Sequence, residues 1–481
     1  MLPTTRDPWE KRTMNTDATR CLVFDLGAGS GRAMLVEFTG DSLAVRELHR
    51  FSGYEVRLDD GPAWDVEAIR AGLREGLRRA ADGPAIRSLA VDSWGVDFAL
   101  VDQSGRLVDQ PRTYRHPRGQ RGMNALEAHH ARIATRTGVQ ILPIITPFHL
   151  QDWAKHHPTL LDATERFLMT SDFYAFDLSG IAACENTLAR TSGLVNVHSG
   201  DWDAEVLHLA GLPGRMFPHI VPSGTPLGRL KPELATGPAL ENTEVIAAAG
   251  HDTACAAFAL APRAGEAFAV CGSWILVGVE VPEGHLPEAA IGLGLGLEGG
   301  IGGRAILTRS LPGLFLMRRL RDSWKARSGE DVDFATLGRQ AREADPATPA
   351  IDVTHGLFFD PQDMVGAMQD FNPMLKGRPI GDLARALYLG LARAVTNSIA
   401  ELSQFSEKPI EAIRVGGGGG QDAAWRHFLE AASGCHVQAG LVEASVVGNA
   451  LIQLVGLKAL PSFEAAQALA RRATDSGAWR A

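Results

Sequence analysis

The chain lacks any apolar run long enough to cross a bilayer as a helix. Its longest, AFAVCGSWILVGVEV (267–281), ends after 15 residues and is broken by glycine and serine, where a spanning helix needs roughly 20. No membrane association is expected. Residues 1–20 lack the apolar centre of a signal peptide and read as a disordered tail, with Met14 as an alternative start. The five cysteines, Cys21, Cys184, Cys255, Cys271 and Cys435, form no C-x-x-C pair and sit mostly among small apolar neighbours. That pattern argues against a disulfide framework and for buried thiols in a reducing, cytoplasmic setting. The histidine pairs His129–His130 and His156–His157 lack helical ligand spacing and cysteine partners, so no transition-metal site is expected. Basic runs are absent as well. With 47 Lys and Arg against 56 Asp and Glu, a net charge of -9, binding to nucleic acid is disfavoured. No G-x-S-x-G element supports a serine hydrolase.

What remains is a globular composition, 45% apolar and 21% charged, on a chain long enough for two domains with a cleft between them. From residue 21 the text alternates as strands do, CLVFDLGAG, RAMLVEF and LAVRELHRF, an antiparallel meander. DVEAIRAGLREGLRRAA follows at helical spacing with Asp65 placed to cap, and IRSLAVDSW then reads as a buried strand. The second half repeats the plan in outline. EAFAVCGSW and ILVGVEV make a hairpin, and helices follow at DLARALYLGLARAVTNSIAEL, DAAWRHFLEAAS and ASVVGNALIQLVGL. The class is α/β, two halves suggest duplication, and the boundary falls near residue 255, giving domains 21–254 and 255–481.

Three glycine turns are candidate anion cradles. FDLGAGSGR (24–32) lies between two strands, where free backbone N–H groups can converge on phosphate and Asp25 can hold a magnesium ion through water. It is no Walker A loop, since no Lys-Ser or Lys-Thr follows, and Arg32 stands where a dinucleotide fingerprint needs glycine. CGSW (271–274), with Ser273, could reach a terminal phosphate from the opposite side, and VGGGGGQDAAWRHF (415–428) leaves bare backbone for a base or ribose. GLGLEGG, with Gly294, Gly296 and Gly299 spelling G-x-G-x-x-G, lacks the strand and helix context for NAD and reads as a glycine-rich loop. In HDTACAAF, Asp252 is either a helix cap or, near a γ-phosphate, a base that takes a hydroxyl proton. His251 and Thr253 could orient that hydroxyl. In VDSWGVDF, Trp94 and Gly95 offer either a flat sugar wall or core packing and a turn, and Asp97 a sugar acceptor.

Taken in order, FDLGAGSGR, WDVEAI, SWGVDF, SGDWD, GHDTA, GSWILVG, GGGGQDAAW and VEASVVGNALIQL resemble the FGGY family of carbohydrate kinases, and within it the rhamnulokinase branch. The resemblance implies two actin-like, ribonuclease H-type domains closing over a ketose and Mg-ATP. It implies Asp252 as base and Gly95, His251 and Thr253 against the sugar. Ala28, Gly29, Ser30, Gly31, Arg32, Ser273 and Gly418 or Gly419 would meet ATP. In that branch the product is a 1-phosphate of L-rhamnulose; a pentulose 5-phosphate is the alternative outcome.

Departures from the family pattern bear on substrate. Where the branch places a sugar-reaching Asn and a nucleotide-reaching Gln, this chain has Ser310 and Arg318. A hydroxyl cannot span the gap an amide does, so L-fuculose, ribulose or xylulose compete with L-rhamnulose as substrate. Arg318 either points charge at phosphate or faces solvent. Cys271 and Ile275 replace hydroxyl residues of the second loop, and Asp422 puts a carboxylate where an Asn is frequent, expected to bring negative charge near the nucleotide. A kinase-derived sugar or nucleotide sensor without transfer is the reading from another class. The expected oligomeric state is monomer or homodimer.

Overall fold

The two amphipathic β patterns build two six-stranded sheets of the same core order. The computed structural model describes residues 18–272, 274–283, 288–359 and 361–475. The tail expectation therefore lies largely outside the described residues, while Thr19 and Arg20 already belong to the first strand. In the first sheet β1 (Thr19–Leu26), β2 (Ser30–Phe38) and β3 (Leu43–Ser52) form the expected meander. They are joined by β4 (Ser88–Ser93), β5 (Thr225–Arg229) and β6 (Glu244–Ala247) in the order β5-β6-β4-β1-β2-β3. The second sheet comprises β7 (Glu266–Cys271), β8 (Trp274–Pro282), β9 (Gly296–Gly299), β10 (Arg304–Pro312), β11 (Ala412–Gly416) and β12 (His436–Ala439), ordered β9-β10-β8-β7-β11-β12. Removing one antiparallel edge strand from each, β5 and β9, leaves the identical path: third, second and first strand, then two parallel ones.

Helix α1 (Val66–Ala80) forms where its apolar spacing predicts, and the Asp65 carboxylate accepts from the Ala68 N–H at 3.0 Å. It covers one face of the first sheet through Ile69, Leu73 and Leu77 against Phe24 and Leu35. The opposite face is shared between the halves of the chain. There α2 (Asp252–Leu260) and two helices from the C-terminal half, α6 (Ala444–Gly456) and α7 (Phe463–Asp475), bury Val446, Val447 and Leu451 against Cys21, Val23, Met34 and Val36. Ala257 and Leu260 on the other flank of α2 meet Phe268, Leu276 and Ile306 of the second sheet. Helix α2 is thus the slab between both sheets and runs without a break through residues 254 and 255. Beyond the second sheet lie α3 (Phe315–Ser328), α4 (Ile380–Leu402) and α5 (Ala423–Ser433).

One expectation is corrected here. GLGLEGG is not a loop: Gly296–Gly299 pairs antiparallel with β10 from Gly296↔Thr308 to Gly299↔Ala305. Glycine lets this edge come close to its neighbour, since a Cβ on Gly299 would stand 2.7 Å from the Cα of Thr187. No helix follows it, so the dinucleotide reading has no support.

Candidate active site

The parallel strands of the first sheet end together. Asp25 on β1 pairs with Asp92 on β4, Leu26 with Ser93, and Ser93 bridges on to His251 ahead of α2. The β1–β2 turn, residues 94–97 and the start of α2 therefore share one edge, the carboxyl ends of parallel strands where open α/β sheets place ligands.

Asp252 is not the cap of α2. His251 holds that position and Asp252 is the first helical residue. Its Oδ1 accepts from the Thr253 hydroxyl at 3.1 Å and stands 3.6 Å from His251 Nε2. The side chain is 29% exposed, open enough to meet a ligand. Burial of the site raises its pKa to about 6; the His251 charge opposes that rise and the Asp25 charge adds to it. Asp92 is wholly enclosed, and burial, with the charges of Asp25 and Asp252, holds its carboxyl well above the usual range.

Around the first turn, Gly27 N–H donates to Ser30 O at 3.1 Å, and the Tyr54 hydroxyl donates to Gly27 O. Ala28 is partly exposed and Gly29 exposed, with open space where a Gly29 Cβ would point. Gly31 has a packing reason instead, since a Cβ there would lie 2.5 Å from Phe51. Arg32 does not reach free into the cleft: its guanidinium donates to Asp25 and to Glu443 just ahead of α6. Ser445 donates to Asp25 Oδ2 at 3.2 Å.

Trp94 and Asp97 turn inward, which corrects their reading as sugar contacts. Trp94 packs against Trp64 with ring centroids 4.4 Å apart, and one oxygen of Asp97 accepts both indole N–H groups, at 2.7 and 2.8 Å. Gly95 stays partly exposed, and a Cβ on it would press on Thr191 at 3.0 Å.

The second sheet presents matching turns at the ends of β7 and β11. Gly272 N–H donates to Trp274 O at 2.9 Å, closing the hairpin; Ser273 lies outside the described residues. Gly417 has φ 76, and a Cβ there would sit 2.8 Å from Cys271 O. A Cβ on Gly419 would strike Leu314, whereas Gly418 faces open space. Asp422 has both oxygens engaged: one caps α5 through Ala424 and Trp425 N–H, and the other accepts from the Tyr388 hydroxyl at 2.6 Å. Ser310 sits on β10, its N–H 3.4 Å from Gln140 Oε1, and Arg318 is exposed on α3.

Sequence reasoning missed the buried polar residues behind the edge. Asn449 donates to Asp92 at 2.6 Å, Gln453 donates to Asn449 at 2.8 Å, and Ser88 donates to Gln453 at 2.7 Å. Two amides four residues apart in an otherwise apolar helix were the available signal. Glu185 was missed too; it accepts from Thr187, Leu188, Gly250 and Ser223 and so braces the loop that carries His251. Nothing in the local text around Glu185 marked it.

The chain is similar to known proteins along most of its length. Residues 20–259 match the N-terminal domain of the FGGY family of carbohydrate kinases and residues 267–457 its C-terminal domain. A rhamnulokinase of Bacteroides thetaiotaomicron is 32% identical over 441 residues, covering 89% of this chain and 89% of that protein. Among solved structures, glycerol kinase of Plasmodium falciparum with ADP superposes with a TM-score of 0.79 at 13% identity over 94% of this chain and 92% of that one. Gluconate kinase of Lactobacillus acidophilus gives 0.78 at 14% identity, with the same shares covered.

Proposed function

Because this chain belongs to the FGGY family of carbohydrate kinases and carries its two actin-like domains, we propose that it transfers the γ-phosphate of ATP to the 1-hydroxyl of L-rhamnulose, with Asp252 as the base. One observation carries the assignment of the base: Asp252 Oδ1 is occupied by Thr253 and faces His251, which leaves Oδ2 for the sugar. A carboxylate with its pKa near 6 is ionised at neutral pH yet basic enough to take a hydroxyl proton as attack begins. The sugar oxygen forms its bond to the γ-phosphorus, its proton passes to Oδ2, and the β–γ bridging bond breaks to release ADP. Phosphoryl transfer asks the protein mainly for placement and charge balance. The backbone at Gly29 and at Gly418, open on both sides of the cleft, suits the triphosphate and the nucleoside.

Asp25 fits a magnesium ion only at one remove. Its Oδ2 is already engaged by Arg32 and Ser445, and among the described residues no group of three His, Cys, Asp or Glu is arranged to grip a metal. Asp25 would hold such an ion through water, and the ion would supply positive charge against the triphosphate. Support for L-rhamnulose comes from the rhamnulokinase relatives. Ser310 in place of an amide favours a second reading, a different ketose such as L-fuculose, L-ribulose or D-xylulose.

A coupled ADP assay over L-rhamnulose, L-fuculose, L-ribulose, D-xylulose and D-tagatose ranks the substrates. Asp252→Asn is expected to lower kcat by about 10²- to 10⁴-fold while calorimetric ATP binding stays as in the parent. Retained sugar-dependent ADP release in that variant overturns the assignment of the base, and a ketose bound without ADP from any sugar replaces the kinase with a sensor.

A further inference from the structure

The base has a neighbour from the other domain. Glu298 lies on β9, the edge strand of the second sheet, and its Oε2 stands 3.3 Å from Nδ1 of His251, whose Nε2 is 3.6 Å from Asp252 Oδ1. Both facing atoms, His251 Nδ1 and Glu298 Oε2, are buried and lack any well-aligned hydrogen bond. A buried polar group left unpartnered is costly, so each depends on the other. The second Glu298 oxygen accepts from the Thr308 hydroxyl at 3.1 Å, which fixes the carboxylate's rotation.

We propose that Glu298 is a positioning residue for phosphoryl transfer, holding the His251 imidazole against Asp252 from across the domain junction. The inference rests on Asp252 being the base. Three carboxylates face His251: Glu298 from β9, Asp252 from α2 and Glu185 from the short strand Cys184–Glu185. Burial disfavours its charged form, and Glu298 first, then Asp252 and Glu185, outweigh that, so its pKa is raised. When the ring is protonated, each nitrogen carries a proton toward a carboxylate, Nδ1 toward Glu298 at 3.3 Å and Nε2 toward Asp252 at 3.6 Å. The charge on the ring then opposes the burial that raises the Asp252 pKa.

The placement of Glu298 depends on the two domains being together. Strand β9 is tied to the first domain on both sides of it. Leu297 N–H donates to Gly138 O at 2.8 Å, Gln140 donates to Gly294 O at 2.5 Å, and Gly299 lies against Thr187. Glu298 thus reaches His251 from a strand hydrogen-bonded both to its own sheet and to the first domain.

Two measurements on the full chain test this. In protein labelled at histidine, the NMR titration of His251 without sugar is expected to move down by about one unit in Glu298→Gln, an order of magnitude in proton affinity. With the ketose that turns over fastest, the acidic limb of kcat/KM in the same variant is expected to move to higher pH, because Asp252 loses its cationic neighbour. The fall should appear in kcat more than in the sugar KM. Glu298→Asp keeps the charge and should hold both quantities nearer the parent values. An unmoved His251 titration, or Asp and Gln variants that behave alike, overturns the proposal. An inactive Asp252→Asn beside an unshifted Glu298→Gln sinks this inference alone. Full activity in Asp252→Asn sinks the base instead, and the His251 titration still judges the contact with Glu298.

Discussion

Asp97 shows how a residue can look like a ligand and act as a strut. It is 3% exposed, and burial raises its carboxyl to about 6 against the two indole N–H bonds that favour the charged form. The folded chain thus holds that proton more tightly than the unfolded chain. Stability from this group is full below the ordinary carboxylate pKa of 3.8 and is lost as pH rises through 6. The loss amounts to about 3 kcal/mol. Asp97→Asn keeps an acceptor for the indoles and cannot ionise. Urea unfolding should therefore find the variant more stable than the parent at pH 8, with the advantage gone at pH 4. Asp252, raised by the same burial, has the opposite consequence for function. Turnover needs its ionised form, so kcat/KM is expected to fall below about pH 6, read from a pH–rate profile.

Among the elements, α5 and β9 carry the clearest lessons. For Asp422 only its position was visible in the text; the fold shows that its two oxygens serve the α5 cap and Tyr388. Asp422→Ala is expected to cost about 1 kcal/mol from the lost cap, more for the Tyr388 hydroxyl it orphans. A lowered urea midpoint with unchanged ATP affinity is the expected result. Strand β9 was illegible for a different reason. Four residues containing two glycines carry little strand preference of their own, and pairing with β10 overrides it. Longer elements were plain: the β1–β3 meander, the β7–β8 hairpin, α1, α4 and α6 all form where their periodicity predicts.

Across the whole molecule, the two halves share a layer. Helix α6 comes from the C-terminal half, yet Asn449 on it donates to Asp92 Oδ2 and Gln453 accepts from Ser88 in the first sheet. The halves are therefore expected to unfold together, as one calorimetric transition. Asn449→Leu leaves the buried Asp92 without its donor and should destabilise the protein by about 1–3 kcal/mol, seen as a lower melting midpoint. Two well-separated transitions in the parent protein would show independent halves.

The linear text by itself determined the class, the meanders, the three glycine turns and the carboxylate at the head of α2, because turn chemistry and hydrophobic periodicity are local and leave their mark on neighbouring residues. Only the tertiary structure decided what surrounds that carboxylate. Glu298 lies 46 positions from Asp252 and Asn449 lies 357 from Asp92. Partnerships over such separations arise from how sheets and helices stack, and no spacing rule along the chain encodes them.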